Sequence, residues 1–455
     1  IAAAKVALPA WANTPPAKRA QVMFKFRDLI IRDLDKLAGL ISAQPGKTLD
    51  DARGEVARGL EVVEFACGIP HLLKGEYSAQ VATAVDSSSL RQPVGVVAGI
   101  TPFNFPAMVP MWMFPMALAC GNTFILKPSE RDPGAPLYLA QLLSEAGLPD
   151  GCLNVVNGDK EAVDAILDHS DIAAISFVGS TAIGKYIYSR GCSNGKRVQA
   201  LCGAKNHMII MPDADMGQAV DAAMGAAYGS AGERCMAVSA VLAVGDDTAD
   251  RFVEQLAPKV RALKIGQFDE PGVEMGPVIT KDAKDRIIGY IDQGESDGAK
   301  VVVDGRNLSL QGYENGFFVG GTLLDHVTPD MSVYRDEIFG PVLSVLRPQS
   351  YDEAVQLVMS HEYGNGTAIF TRDGDAAREF ASTINIGMVG VNVPIPVPVA
   401  YHSFGGWKAS MFGDHSIHGM EGVRFYTKLK TVTARWPSGI KDGAVFNFHS
   451  GSETK

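Results

Sequence analysis

The chain has 455 residues, of which 46% are hydrophobic and 20% charged, and its formal net charge is −10. This length and composition suit a globular protein with two or three domains. The mild negative charge, with no long run of lysine or arginine, argues against a nucleic-acid partner, so we expect small-molecule partners. The most apolar stretch, residues 105–121, is too short to span a membrane and contains three prolines. We therefore expect no membrane partner and interpret the stretch as a buried helix with a break inside.

The cysteines are scattered along the chain as Cys67, Cys120, Cys152, Cys192, Cys202 and Cys235. They form no closely spaced pairs, and no histidines lie at ligand spacing, so we expect neither a disulfide framework nor a metal site. Scattered thiols are typical of a reducing compartment, which means the cytoplasm, or the mitochondrial matrix in a eukaryote. Any leader is expected to precede Ile1, which already lies in a predicted helix.

From residue 94 onward, short apolar runs alternate with longer amphipathic ones. The predicted order is strand 94–100, helix 106–119, strand 123–127, helix 133–146, strand 153–156, helix 159–167 and strand 172–177. Continuously apolar strands separated by helices predict a parallel sheet that is covered on both faces. Ligands of such a sheet bind in the loops at the carboxyl ends of its strands.

A second α/β series follows residue 203. It is predicted to contain helix 216–230, strand 238–244, helices 248–264 and 281–298, and strand 340–346. Two further segments, 75–91 and 423–435, fit neither series because their apolar residues alternate as in edge strands. Such edges are often completed by another subunit, so we expect an oligomer.

Polar residues follow the first two strands of the predicted sheet. Asn104, in TPFNFP at 101–106, lies where its amide could donate to a developing oxyanion, or could cap the following helix. Lys127 and Glu130, in KPSE, could hold the hydroxyls of a ribose, and the acid would then favour NAD over NADP. The alternative for this pair is a solvated turn.

Two later motifs could contact the rest of a dinucleotide. Gly179 and Ser180 lie between a strand and a helix, where backbone N–H groups suit a pyrophosphate. Glu337 and Phe339, in EIFGPV before a strand, could hold a nicotinamide ribose and its ring. The alternatives are a helix-capping turn for the first pair, and a surface glutamate with a core phenylalanine for the second.

Cys235 directly follows Arg234 in GSAGERCMA at 229–237, a stretch too rich in glycine and alanine to cover it. The thiolate is the reactive form of cysteine, and a nearby cation lowers the thiol pKa from its usual ~8.5. The sequence thus predicts an exposed nucleophile. The alternative is a small buried core residue, because free cysteine is among the most buried residue types.

In this order, the motifs TPFNFP, KPSE, FVGST, GxxC and EIFGPV resemble the aldehyde dehydrogenase superfamily over nearly the whole chain. The resemblance implies that Cys235 is the nucleophile and that Asn104 forms the oxyanion hole with the Cys235 backbone N–H. The implied contacts with NAD are Lys127, Ser129 and Glu130 at the adenine ribose, Gly179 and Ser180 near the pyrophosphate, and Glu337 and Phe339 at the nicotinamide end.

The same resemblance implies an α/β fold with a Rossmann-type NAD domain, a second α/β catalytic domain and a small β oligomerisation element. The implied boundaries are 1–74 and 92–203 for the NAD-binding domain, 204–405 for the catalytic domain, 75–91 and 423–437 for the oligomerisation strands, and 406–422 and 438–455 for connecting and tail segments. The expected assembly is a homodimer or a homotetramer.

Leu201 departs from the pattern of the hydrolytic members, which carry the glutamate of ELGGK at this place to activate water. Leucine takes no proton, so either another group does this work or water is not the acceptor. The CoA-acylating methylmalonate/malonate semialdehyde dehydrogenases lack this glutamate as a rule, and GAKNH at 203–207, GERCMA at 232–237 and NVPIPVP at 392–398 resemble that branch. The branch usually has asparagine where this chain has Leu201.

The resemblance to this branch implies a specific activity. It is the oxidation of a short carboxylated semialdehyde through a thioacyl enzyme, with NAD as cofactor, CoA as co-substrate and decarboxylation to propionyl-CoA or acetyl-CoA. Arg58 and Arg234 are the implied clamp for the substrate carboxylate, although Glu55 and Glu61 offer Arg58 ordinary helical ion pairs. The alternatives are a hydrolytic NAD-dependent aldehyde dehydrogenase that releases a free acid and a catalytically idle NAD-binding relative.

Overall fold

The structure, a computed structural model, describes residues 1–436. Helices within this range are α1 (Ala2–Ala12), α2 (Pro16–Arg32), α3 (Leu34–Ala43), α4 (Leu49–Cys67), α5 (Ile69–Leu72), α6 (Met108–Ala119), α7 (Gly134–Glu145), α8 (Lys160–Asp168), α9 (Thr181–Ser193), α10 (Met216–Tyr228), α11 (Asp246–Arg261), α12 (Lys281–Ser296), α13 (Ser332–Arg335), α14 (Tyr351–Ser360), α15 (Gly374–Thr383) and α16 (Gly419–Phe425). The strands are β1 (Glu76–Ala82), β2 (Val85–Pro93), β3 (Val96–Ile100), β4 (Thr123–Lys127), β5 (Leu153–Val155), β6 (Ile172–Val178), β7 (Arg197–Leu201), β8 (Asn206–Ile210), β9 (Val238–Ala243), β10 (Lys300–Val303), β11 (Thr322–Asp325), β12 (Val342–Leu346), β13 (Tyr363–Gly364), β14 (Gly366–Phe370), β15 (Met388–Val391), β16 (Trp407–Lys408), β17 (Met411–Phe412) and β18 (Thr427–Arg435).

The first large sheet has the strand order β17-β7-β6-β3-β4-β5. Its strands run parallel except β17, which pairs antiparallel with β7. Val97 and Leu126 pack with α6 on one face, whereas Val96 and Ile125 pack with residues of α1 and α9 on the other. The predicted parallel layer with helices on both faces is thereby confirmed, and its continuously apolar strands are explained by burial on two sides.

The second large sheet has the order β10-β11-β12-β9-β8-β14-β15, and all of its pairs except β10 with β11 are parallel. The chain enters this sheet directly from the first one, through residues 202–205 between β7 and β8. The sequence predicted β9 and β12 and helices α10, α11 and α12 to within a few residues. The interior strand β8 and its neighbour β14 were not predicted.

A small sheet, β1-β2-β18, stands apart from the two large ones. Strand β18 pairs with β2 antiparallel from Thr427 to Arg435. The predicted strand at 423–437 begins too early, because residues up to Phe425 belong to α16, where the buried side chains of Val423 and Phe425 pack into the core. Residue 437 and the predicted tail at 438–455 lie outside the described residues.

Helix α6 lies within the apolar stretch at residues 105–121. It is buried along its length except at Met108, and it packs on α4 and β4. The expected break within it is absent, because the helix continues through Pro115. Within residues 1–436, no helix combines the length and the apolar character needed to cross a bilayer.

Asp132 is an acidic group inside the first layer, in the loop between β4 and α7, where only 1% of the residue is exposed. Burial raises its pKa to about 8, and the Ser129 hydroxyl and Lys47 offset only part of this rise. An unfolded aspartate has a pKa of ~3.9. The folded chain therefore holds a proton that the unfolded chain releases, so the contribution of Asp132 to the free energy of unfolding decreases as pH rises from about 4 to about 8.

We expect Asp132→Asn, a neutral residue of the same size, to raise the melting temperature relative to the unaltered chain by an amount that grows with pH. The difference should be small at pH 4 to 5 and reach several degrees at pH 8.5. Melting curves at half-unit pH intervals measure it. Asp150→Asn, at an exposed position in the same layer, serves as control, and a difference for Asp132→Asn that does not change with pH would contradict the buried-proton explanation.

Candidate active site

The loop before Cys235 is shaped by a run of residues with left-handed backbone. Ser230 and Ala231 have φ angles of 51° and 53°, and Gly232 has a φ angle of 70°. A Cβ on Gly232 would lie 2.1 Å from the carbonyl oxygen of Gly340, so only glycine fits there. This close approach holds the chain just before β9, where Cys235 lies.

Cys235 and Asn104 are brought together although they are 131 positions apart in the chain. The amide nitrogen Nδ2 of Asn104 lies 3.6 Å from Cys235 Sγ and also donates to the carbonyl of Glu233 at 2.9 Å. The amides of Asn206 and Asn365 both donate to the carbonyl oxygen of Cys235, at 2.9 and 3.1 Å. The cysteine is therefore fixed on both sides, with an amide beside its sulfur and two amides on its carbonyl.

The environment of the Cys235 thiol differs from the sequence-based expectation. The residue is only partly exposed. Burial raises the pKa of the thiol, the Asn104 amide lowers it by a hydrogen bond, and the charge of Glu337 raises it. Arg234 directs its guanidinium to Asp51, with which it forms an ion pair. The prediction that the neighbouring arginine lowers the thiol pKa is therefore wrong, because the net shift is upward.

A cavity of about 440 Å³ lies beside Cys235. The predicted site residues that line it are Asn104, Gly179, Ser180, Cys235, Glu337 and Phe339. Gly203 lines the same cavity, and a Cβ on it would lie 2.7 Å from Thr181 Oγ1 and 2.8 Å from Glu337 Oε2. Loops from both large sheets thus meet at one cavity, and a glycine lets them approach this closely.

The part of the cavity nearest the second sheet combines a carboxyl group with aromatic rings. Glu337 Oε1 accepts a hydrogen bond from the backbone N–H of Ala204 at 3.1 Å, and burial raises the pKa of this carboxyl group. The ring of Phe339 meets Phe103 edge to face, with centroids 6.1 Å apart. A hydrogen-bond acceptor beside two rings suits a ribose that carries a flat heterocycle.

The part of the cavity nearest the first sheet presents the start of helix α9. Ser180 is the N-cap residue of this helix, and its hydroxyl makes no capping hydrogen bond. The first N–H groups of a helix have no carbonyl partner within it, and they favour a phosphate group. A Cβ on Gly179 would lie 2.5 Å from the ring of Phe177, so the backbone here stays bare. Backbone N–H groups that can donate to a phosphate lie at this end of the cavity, and a carboxyl group with aromatic rings lies at the other. This arrangement fits a nicotinamide dinucleotide.

Lys127, Ser129 and Glu130 lie at the end of β4, outside the wall of this cavity. The ammonium of Lys127 donates to the carbonyl of Gly158 at 2.8 Å and is 3.3 Å from Glu130 Oε2. Ser129 Oγ accepts from the backbone N–H of Arg131 at 3.0 Å, and Arg131 does line the cavity. Lys127 and Glu130 therefore form an ion pair next to a residue of the cavity wall, with Glu130 half-exposed.

Arg58 and Arg234 are not brought into the cavity wall. Arg58 pairs with Glu61 at 2.8 Å, and its other nitrogen donates to the carbonyl of Pro398 at 2.7 Å. Arg234 is held by Asp51 and by a 3.2 Å contact with Ser230 Oγ. Glu55, which the helical spacing offered as a partner for Arg58, is instead paired with Lys47.

Leu201 ends β7 with 8% of its surface exposed and packs in the apolar core, while Cys202 and Gly203 after it line the cavity. Four charged residues that were not predicted as site residues also line the cavity: Arg131, Glu233, Asp282 and Arg286. Burial raises the pKa of Glu233 to about 8, and Arg286 donates to the carbonyl of Ile338 at 3.2 Å. Glu233 lies within the GERCMA motif at 232–237, whereas Arg286 had no sequence signal beyond its place on an amphipathic helix.

Comparison with curated proteins shows close relatives over almost the whole chain. A malonate-semialdehyde dehydrogenase of Pseudomonas aeruginosa is 61% identical over 437 residues, which cover 96% of this chain and 88% of the relative. The human mitochondrial methylmalonate-semialdehyde/malonate-semialdehyde dehydrogenase [acylating] is 50% identical over 436 residues, or 96% of this chain and 81% of the relative.

Comparison with solved structures shows the same similarity in three dimensions. A putative methylmalonate-semialdehyde dehydrogenase from Sinorhizobium meliloti, complexed with NAD, superposes with a TM-score of 0.96 at 62% identity and covers 97% of this chain and 90% of that one. The corresponding enzyme from Oceanimonas doudoroffii gives a TM-score of 0.95 at 60% identity, with 96% and 90% covered. The sequence profile of the aldehyde dehydrogenase family matches residues 1–432. The chain belongs to the aldehyde dehydrogenase family.

Proposed function

We propose that the protein oxidises malonate semialdehyde or methylmalonate semialdehyde with NAD, passes the acyl group to CoA and releases carbon dioxide, giving acetyl-CoA or propionyl-CoA. The observation that carries this proposal is a cysteine sulfur 3.6 Å from the Asn104 amide in a dinucleotide-sized cavity, with Leu201 where a hydrolytic enzyme would hold a base. The relatives named for these substrates, at 50% to 61% identity, support it.

Attack on the aldehyde is the first proposed step. The Cys235 thiolate adds to the carbonyl carbon, a carbon–sulfur bond forms, and the carbonyl electron pair moves onto oxygen. The Asn104 amide and the backbone N–H of Cys235 are the proposed donors to that oxyanion. The short Asn104–Cys235 distance supports this role, since an oxygen on the carbon bonded to sulfur lies within reach of the same amide.

The cofactor-holding residues are proposed from the motifs and supported by the cavity. Glu337 and Phe339 would hold the nicotinamide end, the backbone at Gly179 and Ser180 the pyrophosphate, and the end of β4, with Lys127, Ser129 and Glu130, the adenine ribose. NAD, when bound there, supplies the acceptor for the hydride that leaves the former aldehyde carbon. As that hydride leaves, an electron pair of the oxyanion re-forms the carbonyl double bond, which leaves a thioester on Cys235.

Release of the acyl group is the step in which this chain would differ from hydrolytic members. The thiolate of CoA attacks the thioester carbon, the new carbon–sulfur bond forms, and the bond to Cys235 breaks. The β-carboxylate leaves as carbon dioxide, and the carbon that held it takes a proton. No base is needed at position 201, because a thiol with a pKa near ~8.5 is partly ionised at neutral pH.

Substrate choice is proposed to depend on Arg234 and Arg58 as partners for the carboxylate. A guanidinium pairs with a carboxylate through two parallel hydrogen bonds. Arg234 already holds one carboxylate, that of Asp51, so the substrate carboxylate would share or replace this partner.

The assembly and the compartment are proposed from the surface and the thiols. We propose a homodimer or homotetramer that uses the small sheet, whose exposed apolar residues are Tyr77, Val81, Leu90, Leu429 and Val432. All six cysteines are free, which supports a reducing compartment, the cytoplasm or a mitochondrial matrix.

We expect NADH formation from malonate semialdehyde to continue in the presence of CoA and, without CoA, to stop after a burst of about one NADH per active site. The burst arises because the thioester on Cys235 then has no acceptor. Stopped-flow absorbance at 340 nm and identification of acetyl-CoA and carbon dioxide measure this. Unchanged turnover without CoA, with free acid as product, would favour the hydrolytic alternative.

Controls for this assay use the nucleophile itself. Cys235→Ser should bind NAD normally and show no burst. Full activity in this variant would show that Cys235 is not the nucleophile. NAD binding without any burst in the unaltered chain would favour the catalytically idle relative.

We expect Leu201→Glu to increase turnover without CoA by about tenfold or more, since general-base help is worth ~10²–10⁴ in rate. The product should change to the free acid, because the new carboxylate can take a proton from water. Leu201→Gln, of equal size but without a basic group, is the matched control. Equal CoA-free rates in the two variants would show that position 201 does not decide the acceptor.

A further inference from the structure

The ammonium of Lys47 lies in the protein interior beside the backbone of Asn104, and its contacts there are with protein groups. Its Nζ donates to the carbonyl oxygen of Asn104 at 2.7 Å and to Glu55 Oε2 at 2.6 Å. It also lies 4.0 Å from the centroid of the Phe105 ring, a distance at which a cation is attracted to the ring face. The side chains of Lys47 and Glu55 are 5% and 0% exposed.

The second oxygen of Glu55 binds the far end of the same loop. Glu55 Oε1 accepts from the backbone N–H of Ala107 at 2.8 Å and of Met108 at 3.1 Å. These N–H groups stand at the start of α6, where a helix has no internal acceptor for them. The Lys47–Glu55 pair therefore hydrogen-bonds to both ends of the segment 104–108: to a carbonyl at its start and to two N–H groups at its end.

Stability alone does not account for such a pair. Removing two charges from water costs free energy, and well-packed apolar residues of similar volume are often as stable as a buried ion pair. Apolar residues do not supply directional hydrogen bonds that would orient the loop backbone. Hydrogen bonds to both ends of the loop fix the peptide of Asn104, and with it the line from the amide to Cys235 Sγ.

We propose that Lys47 and Glu55 are positioning residues for the reaction: they orient Asn104 so that its amide donates to the oxyanion formed at Cys235. This inference rests on the proposed function, since it acts through the oxyanion role of Asn104. Lys47 and Glu55 themselves touch the loop backbone. Misplacement of a catalytic group by about 1 Å is enough to cost ~10²-fold in rate.

The test is a double-variant cycle on the rate of the NADH burst with malonate semialdehyde. Lys47→Met keeps the length of the side chain and removes the ammonium, and we expect a burst rate about tenfold to hundredfold lower with nearly unchanged NAD affinity. Asn104→Ala should lose ~10²–10³-fold. Burst rates are compared on their pH-independent plateau, which removes the direct effect of the Lys47 charge in lowering the pKa of Cys235. There the combined variant Lys47→Met/Asn104→Ala should be no slower than Asn104→Ala alone, because Lys47 then acts through Asn104.

A matched control and a second variant make each outcome decisive. Arg347→Met removes a comparable buried pair, in which Arg347 Nη2 lies 2.7 Å from Asp325 Oδ2 and the side chains are 11% and 2% exposed; it should lower the melting temperature and leave the burst rate unchanged. If Lys47→Met does not fold, Lys47→Met/Glu55→Gln removes both charges while keeping an acceptor for the two N–H groups, and it replaces Lys47→Met in the cycle.

The outcomes separate this inference from the proposed function. A burst in the unaltered chain that Asn104→Ala slows, together with an unchanged rate in Lys47→Met, overturns the positioning role. Losses that multiply in the combined variant, or a parallel loss of NAD affinity in Lys47→Met, do the same, since both indicate general structural damage. No burst in the unaltered chain, or full activity in Asn104→Ala, counts instead against the proposed function.

Discussion

The hydrogen bonds on the carbonyl oxygen of Cys235 are the constraint on which the site depends. Asn206 begins β8 and Asn365 immediately precedes β14, and these two strands are neighbours in the second sheet. Their amides converge on one oxygen at 2.9 and 3.1 Å, while Gly232, three residues before the nucleophile, packs against Gly340. Because the backbone of Cys235 is anchored in this way, its sulfur keeps its position relative to Asn104. Correct placement of reacting groups makes a large contribution to the rate of a reaction.

Helix α4 links the charged groups around that constraint. Asp51, Glu55 and Arg58 stand at i, i+4 and i+7, so they share one face of the helix. Asp51 pairs with Arg234 and Glu55 with Lys47, and the helix packs on α6, which follows the Asn104 loop. Helix α4 therefore contacts both the loop that carries Asn104 and the proposed carboxylate clamp. In the proposed function, exchange of Asp51 for a substrate carboxylate would replace one ion pair of Arg234 by another, and an aldehyde without a carboxylate would gain nothing from it.

The sequence was informative where burial alone dictates the pattern. Strands β3, β4 and β6 are buried on both faces and read as unbroken apolar runs, so they were predicted closely. Strand β8 is equally buried but begins with Asn206 and His207, whose polar atoms bond to Cys235 and Ala237 and to Tyr334. A strand with polar residues at its start lacks the apolar signal, and its partners lie far away in the chain.

The site residues divide in the same way. Loop residues that follow predicted strands, such as Asn104 and Ser180, could be placed near one another because parallel strands end at a common edge, and both line the cavity. Glu337 precedes a strand and was indicated by its motif alone. The partner of Arg234 could not, since Asp51 lies 183 positions away. The upward shift of the Cys235 pKa likewise arises from burial and from Glu337, and neither is visible in GERC. Local motifs thus indicate which groups are present, and tertiary contacts decide their charge and direction.

Leu201 and the raised pKa of Cys235 together bear on the choice of acceptor. Water, with a pKa of ~15.7, needs a base to become a nucleophile, whereas a thiol at ~8.5 is ionised to a few per cent at neutral pH. Without a base at position 201, the acyl acceptor must itself be acidic enough to ionise without help from the protein. The bond that must break is also to a thiolate, and a thiol of raised pKa leaves less readily. The Asn104 amide, which stabilises the sulfur anion by a hydrogen bond, is placed to offset that disadvantage. The same amide that would polarise the aldehyde would then help the acyl group depart.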